Sequence, residues 1–141
     1  MSTKKIIGTS IIALAAVLTT GMFSGCSKGK IIEAAIDKVV TESKIMCPRQ
    51  VDEITRLDSI THPGKATIEY FYTLNMSKDD LDQEVLEAGE KTMEQTIINQ
   101  IKTSSQLKPL LSLGNVTFHH IYFDKNGKTV FDINITPDMY K

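Results

Sequence analysis

Thr67-Ile68-Glu69-Tyr70-Phe71-Tyr72-Thr73-Leu74 is the stretch on which the fold turns. Ile68, Tyr70, Tyr72 and Leu74 recur at the two-residue repeat of a β-strand, which gives the segment one apolar face. Glu69 and Thr73 lie on the other face, with Phe71 as an apolar residue between them. Upstream, His62-Pro63-Gly64-Lys65 reads as a turn: proline presets φ and glycine allows the positive φ of a tight reversal. Before the turn the alternation is imperfect. Val51, Thr55 and Leu57 point one way, and Asp52, Ile54 and Ile60 the other. A strand over residues 53–59 is predicted, entered through residues 48–52.

Downstream, Ser77-Lys78-Asp79-Asp80 opens a helix, with Ser77 as the cap and Asp80 at the reciprocal position. The helix is expected to run to about Thr103, with Leu81, Val85, Ala88, Met93, Ile97 and Ile101 as its inner stripe. Gly89 falls in that stripe, where it costs about 1 kcal/mol relative to Ala but allows close approach to a sheet. Glu84, Glu87, Glu90 and Glu94 form a solvated outer side. Residues 106–113 read as a short helical turn interrupted by Pro109 and ended by Gly114. Residues 116–123 form a third strand, with Val116, Phe118, His120 and Tyr122 on one side and Thr117, His119, Ile121 and Phe123 on the other. Asn126-Gly127 supplies the positive φ of a hairpin turn. Residues 129–135 close the pairing, with Phe131, Ile133 and Ile135 inward.

Ahead of the first strand, Ile31, Ile32, Ala35, Ile36, Val39 and Val40 fall on one face of a helix that Cys47-Pro48 ends. The expected fold is α+β: a two-layer sandwich with a four-stranded antiparallel sheet and two helices on one face, in the order α-β-β-α-β-β. The opposite sheet face carries Glu69, Thr73, Thr117, His119, Asp132 and Asn134. Phe71, Ile121 and Phe123 are apolar residues on that polar face. An exposed apolar patch marks a contact surface, so these three are the candidate interaction residues.

The 141 residues, 41% of them apolar and 23% charged, allow one globular domain and argue against a wholly disordered chain. The formal charge of −1 leaves no basic excess for a nucleic-acid footprint.

The N-terminus has a different character. Lys4 and Lys5 are the only charges before Cys26, and from Ile6 the chain is apolar or small up to that cysteine. This is the layout of an export signal, in which the positive pair stays at the cytoplasmic side. Phe23-Ser24-Gly25-Cys26 resembles the lipobox of bacterial lipoproteins: an apolar residue, two small residues, then cysteine. Phe23 stands where that family prefers Leu. The resemblance implies cleavage before Cys26 and lipidation of its thiol and new amino group, palmitate included. Removing residues 1–25 takes away two lysines and no acid, leaving 116 residues with a charge of −3. Residues 26–30 would then be a lipidated tether and 31–141 a single domain. Ser27, in place of the Asp that marks inner-membrane retention in Gram-negative lipoproteins, implies an outer-membrane anchor facing the periplasm. In a Gram-positive cell the same lipid would sit on the outside of the cell membrane. Three other readings stay open for residues 6–23. They are an ordinary signal cut near Gly21 or Gly25, an uncleaved anchor helix at the short end for spanning, and a buried core helix.

Candidate chemistry is thin. Cys47 is the only other thiol: a small buried apolar residue, one half of an intermolecular disulfide, or a nucleophile, although nothing in the sequence ties one of the three histidines to it. His119 and His120, adjacent on a strand, face opposite sides, and His62 sits in a turn. No spacing supplies the three or four convergent ligands of a metal site. No nucleophile elbow, phosphate-cradling loop or paired-carboxylate signature is present. Cys47-Pro48-x3-Asp52-x2-Thr55-x-Leu57, Tyr70-x-Tyr72 and Tyr122-x-Asp124-x2-Gly127 resemble small uncharacterised exported bacterial proteins. Some of these have a second cysteine in or after the long helix, which could pair with the first. Here Ser104 and Ser105 stand in that place, which implies a lost disulfide. Asp52 and Thr55 are otherwise expected to bond the backbone where the chain enters the sheet.

The functional expectation is a non-enzymatic, lipid-anchored envelope protein. It would contact the membrane through its acyl chains, and another envelope protein or a second copy through its sheet, with no cofactor. A narrower version is a periplasmic inhibitor or immunity protein. The alternative is a ligand-binding or enzymatic domain with a pocket between helices and sheet, where Tyr70, Tyr72, Tyr122 and His120 would be the polar groups.

Overall fold

A computed structural model describes residues 28–105 and 107–141. The chain runs through α1 (Lys28–Lys44), β1 (Arg49–Gln50), β2 (Thr55–Gly64) and β3 (Thr67–Leu74). A short 3-10 turn (Lys78–Asp80) precedes α2 (Gln83–Thr103) and α3 (Lys108–Leu113). β4 (Thr117–Phe123), β5 (Thr129–Ile135) and the short α4 (Pro137–Tyr140) complete it. Residues 1–25, with the signal reading, and Cys26 lie outside the described residues, as does Gln106.

The fold is an α+β sandwich, but its sheet is not the expected four-stranded antiparallel one. Five strands pair in the order β1-β2-β3-β4-β5, and β3 pairs β4 in parallel. The length of α2 explains the correction. Its 21 residues span about 31 Å and the 8 residues of β3 about 26 Å. A chain that leaves the end of β3 along such a helix returns to the start of β3, and the next strand must run parallel. The fifth strand is β1, whose two residues pair with Arg56 and Leu57 inside what reads as a strand entry.

β2 resolves its imperfect alternation with a bulge. The register shifts between Leu57 and Ser59, so Leu57 and Ile60 both reach the core although they differ in parity. The turn after it is two residues later than predicted, closed by the Gly64–Thr67 pair, with Gly64, Lys65 and Ala66 all at positive φ.

The helices also differ in detail from expectation. α1 begins at Lys28, three residues ahead of the apolar stripe that starts at Ile31. Ser77 caps the 3-10 turn, whereas the cap of α2 is Asp82, whose side chain accepts from Val85 N. Pro109 lies in the first turn of α3 and starts it rather than interrupting it. The first half of α2 stands off the core. Val85 is 50% exposed and Ala88 is exposed, so neither belongs to an inner stripe; the buried residues are Ile97, Ile98 and Ile101. Gly89 holds the contact with β5: a Cβ there would lie 3.1 Å from the Phe131 ring.

The four helices of the described residues pack on one sheet face. Ile32, Ala35, Ile36, Val39 and Val40 of α1 and Leu110 of α3 join a single core with Ile68, Tyr70, Tyr72 and Phe118. From α4, Tyr140 meets Phe118 edge-on at 5.9 Å.

Candidate functional site on the outer sheet face

The sheet face opposite the helices is bare among the described residues. Parallel pairing sets Phe71 of β3 directly beside Ile121 of β4, and Thr73 beside Phe123. Same-face neighbours two residues apart on adjacent strands are within reach of aromatic side chains. Phe71, Ile121 and Phe123 are therefore contiguous at the centre of the sheet, each half-buried. The row is completed by Ser59 beside Phe71 and Asp132 beside Ile121.

A polar network borders this apolar centre. His119 sits between two carboxylates, with Nδ1 3.1 Å from Glu69 Oε2 and Nε2 2.6 Å from Asp132 Oδ1. Donating to both requires a proton on each ring nitrogen. Partial burial disfavours that charge, but the hydrogen bonds and negative charges of Asp132 and Glu69 outweigh it, and the His119 pKa lies above its ordinary value. Thr61 Oγ1 donates to Glu69 Oε1 at 3.1 Å, extending the network to β2. On the other flank Thr73 Oγ1 donates to Asp58 Oδ2 at 2.5 Å, and Asp58 also accepts from Arg56 Nε at 2.5 Å. An apolar centre inside a hydrogen-bonded polar rim has the anatomy of a protein-binding patch.

The other sequence candidates are dispersed. His120, adjacent to His119, is fully buried on the helix side. It stacks on Tyr70 at 4.4 Å, and Tyr72 Oη lies 3.1 Å from its Nδ1. Tyr72 stacks in turn on Tyr122 at 4.3 Å. The four polar groups that would line a pocket are thus packed against one another. Burial, with a smaller push from His119, lowers the His120 pKa to about 3, and burial raises the pKa of all three tyrosines. Among the described residues His120 Nε2 has no hydrogen-bond partner.

Cys47 is partly buried and free. Its thiol donates to Ser43 O at 3.8 Å, and burial raises its pKa. Ser104 Oγ accepts from Leu107 N at 3.1 Å, at the end of the sheet where β4 starts. Cys47 follows the far end of α1, so the topology does not bring together the two positions of the implied disulfide. Asp52 bonds the backbone as expected, accepting from Ile54 N and Thr55 N at 2.9 and 2.8 Å, but Thr55 Oγ1 has no hydrogen-bond partner among the described residues. His62 lies 2.6 Å from Glu33 and 2.5 Å from Asp37, and so ties the β2–β3 turn to α1.

Sequence reasoning missed one feature. The raised first half of α2 leaves an open groove of about 760 Å³ lined by Val85, Gly89, Met93 and Phe131 among others. Val85 and Ala88 at core spacing concealed it. Among the described residues no helix is long and apolar enough to cross a membrane, and no His/Cys/Asp/Glu cluster could hold a metal.

The fold is shared with solved bacterial structures. A protein of Pseudomonas aeruginosa described as secreted superposes with a TM-score of 0.66 at 16% identity, over 83% of this chain and 100% of that one. The pilotin EpsS of the Vibrio vulnificus type 2 secretion system gives 0.54 at 14% identity, over 81% of this chain and 96% of that one. The type II secretion system pilotin AspS of Vibrio cholerae gives 0.58 at 13%, over 79% and 94%. At these identities the likeness is one of fold. No curated protein matches the sequence. Residues 30–131 match a family described as a domain of unknown function (DUF8479), and the chain belongs to that family.

Proposed function

We propose that this protein is an exported lipoprotein, acylated at Cys26, that binds another envelope protein through its outer sheet face and carries out no chemistry of its own. The observation that carries the reading is the apolar centre formed by Phe71, Ile121 and Phe123 on a face that no described helix covers. Three half-buried side chains do not make a whole interface, since a stable one buries about 800 Å² per partner. The rim of Thr61, Thr73, His119 and Asp132 supplies the remainder with oriented polar groups. The bacterial neighbours support the setting: one is described as secreted, and two are pilotins of type 2 secretion systems. A component of an envelope secretion apparatus is accordingly the partner class we favour, with the anchor in the outer membrane on the strength of Ser27.

Photo-crosslinking in intact cells tests the reading. A crosslinker at Ile121 is expected to capture one discrete partner, and one at the exposed Glu53 none. Capture of a hydrolase or toxin would assign the inhibitor role. An Ile121 crosslinker that captures nothing, together with Phe71→Ser and Phe123→Ser variants that leave the envelope phenotype unchanged, would overturn the proposal.

A further inference from the structure

The described structure starts close to the proposed anchor. Ser27 alone separates Cys26 from Lys28, the first residue of α1, so at most about 7 Å of chain joins the acylated residue to the domain. Four segments meet at that end. Ala66 N, in the β2–β3 turn, donates to Glu33 of α1 at 2.7 Å, and Thr117 N at the start of β4 donates to Ala66 O at 2.9 Å. A Cβ on Gly114 would touch Ile32 at 3.7 Å. Tyr140 Oη of α4 donates to Val116 O at 2.6 Å, and Lys141 Nζ donates to Asn115.

The charge on this end differs from that on the rest of the molecule. Lys30, Lys65 and Lys141 lie there, Lys28 opens the helix that starts there, and Lys102 and Lys108 sit on the segments that return to it. The acids at this end are Glu33, bonded to His62 and Ala66, Asp37, bonded to His62, and Asp138, bonded to Thr136, so the six lysines still outnumber them. At the opposite end Asp52, Glu53, Asp58, Asp79, Asp80, Asp82, Glu84, Glu87 and Asp124 outnumber Lys44, Arg49, Arg56, Lys78, Lys125 and Lys128. A near-neutral chain therefore has a basic pole, at the end that acylation would press against headgroups.

We infer that this basic end is a second membrane contact, which binds anionic phospholipid headgroups and stands the domain upright on the bilayer that holds Cys26. The inference rests on the acylated reading above. Lysines at an anionic bilayer surface are attracted to it over roughly a Debye length, about 8 Å at physiological salt, so only side chains held this close take part. Upright, β3 and β4 rise away from the bilayer, and the outer sheet face opens sideways to a partner in the same membrane.

Amine labelling of the acylated full chain in vesicles tests it. A water-soluble amine-reactive ester is applied to protein in phosphatidylcholine vesicles with or without a quarter of phosphatidylglycerol, and peptides are mapped by mass. Lys65 and Lys141 are expected to react severalfold more slowly on the anionic vesicles, while Lys125 and Lys128 stay unchanged. The difference should vanish at about 0.5 M salt, where the Debye length falls to about 4 Å. Equal rates on both vesicles, or shielding of Lys125 and Lys128 instead, would overturn the inference. The same map reads the Cys26 peptide. An unacylated Cys26 there overturns the anchor reading and this contact with it, whereas acyl groups with equal lysine rates overturn the contact alone.

Discussion

His119 and His120 are neighbours in sequence with opposite electrostatics, because a strand sends them to opposite faces. His120 is stacked and fully buried, and its pKa falls to about 3, below the ordinary value of 6.5. The unfolded chain therefore takes up a proton near neutrality that the folded one refuses. The stability due to neutral His120 is complete above pH 6.5 and is lost as the pH falls toward 3. His119 has the reverse sign. Its raised pKa contributes stability below its unfolded value that disappears as pH rises through the folded one. Urea unfolding across pH separates the two. His120→Phe keeps an aromatic ring in the stack and should flatten the acid limb by about 1.4 kcal/mol per pH unit relative to wild type. Parallel pH curves for the two proteins would contradict the burial of a neutral ring. None of this is legible in a His-His pair, but the side each ring takes is, since alternation alone fixes it.

At the scale of elements, the apolar alternation of β3, the Asn126-Gly127 hairpin and the apolar stripe of α1 could be read directly, because each depends on neighbours within one or two turns of chain. What escaped depends on distance. The sense of the β3–β4 pairing follows from how far α2 travels, and the bulge at Asp58 from what β2 must bury on two sides. The start of α2 is ambiguous in the sequence because Ser77 and Asp82 are both good caps, and only the 3-10 turn between them decides. A thermal or urea melt checks this. Asp82→Ala removes the hydrogen bond to Val85 N and should cost about 1 kcal/mol. Ser77→Ala, which loses a 3.3 Å bond in a three-residue turn, should cost clearly less. The reverse order would return the helix start to Ser77. The candidate face was half legible: period 2 put Phe71, Ile121 and Phe123 on one side, but only parallel pairing makes Phe71 and Ile121 touch.

For the whole molecule, the helices occupy one sheet face, the apolar patch sits on the other, and the basic pole lies where the chain leaves toward Cys26. This arrangement has functional meaning only if hydrocarbon at Cys26 holds the domain against a bilayer and leaves the outer face free. Intact-mass and N-terminal peptide mass spectrometry of the protein extracted from its native membrane is the direct measurement. The predicted result is a chain that begins at Cys26 and carries the added mass of a diacylglyceryl group, with or without a third acyl chain. A chain that still begins at Met1, or a bare thiol at position 26, would contradict it.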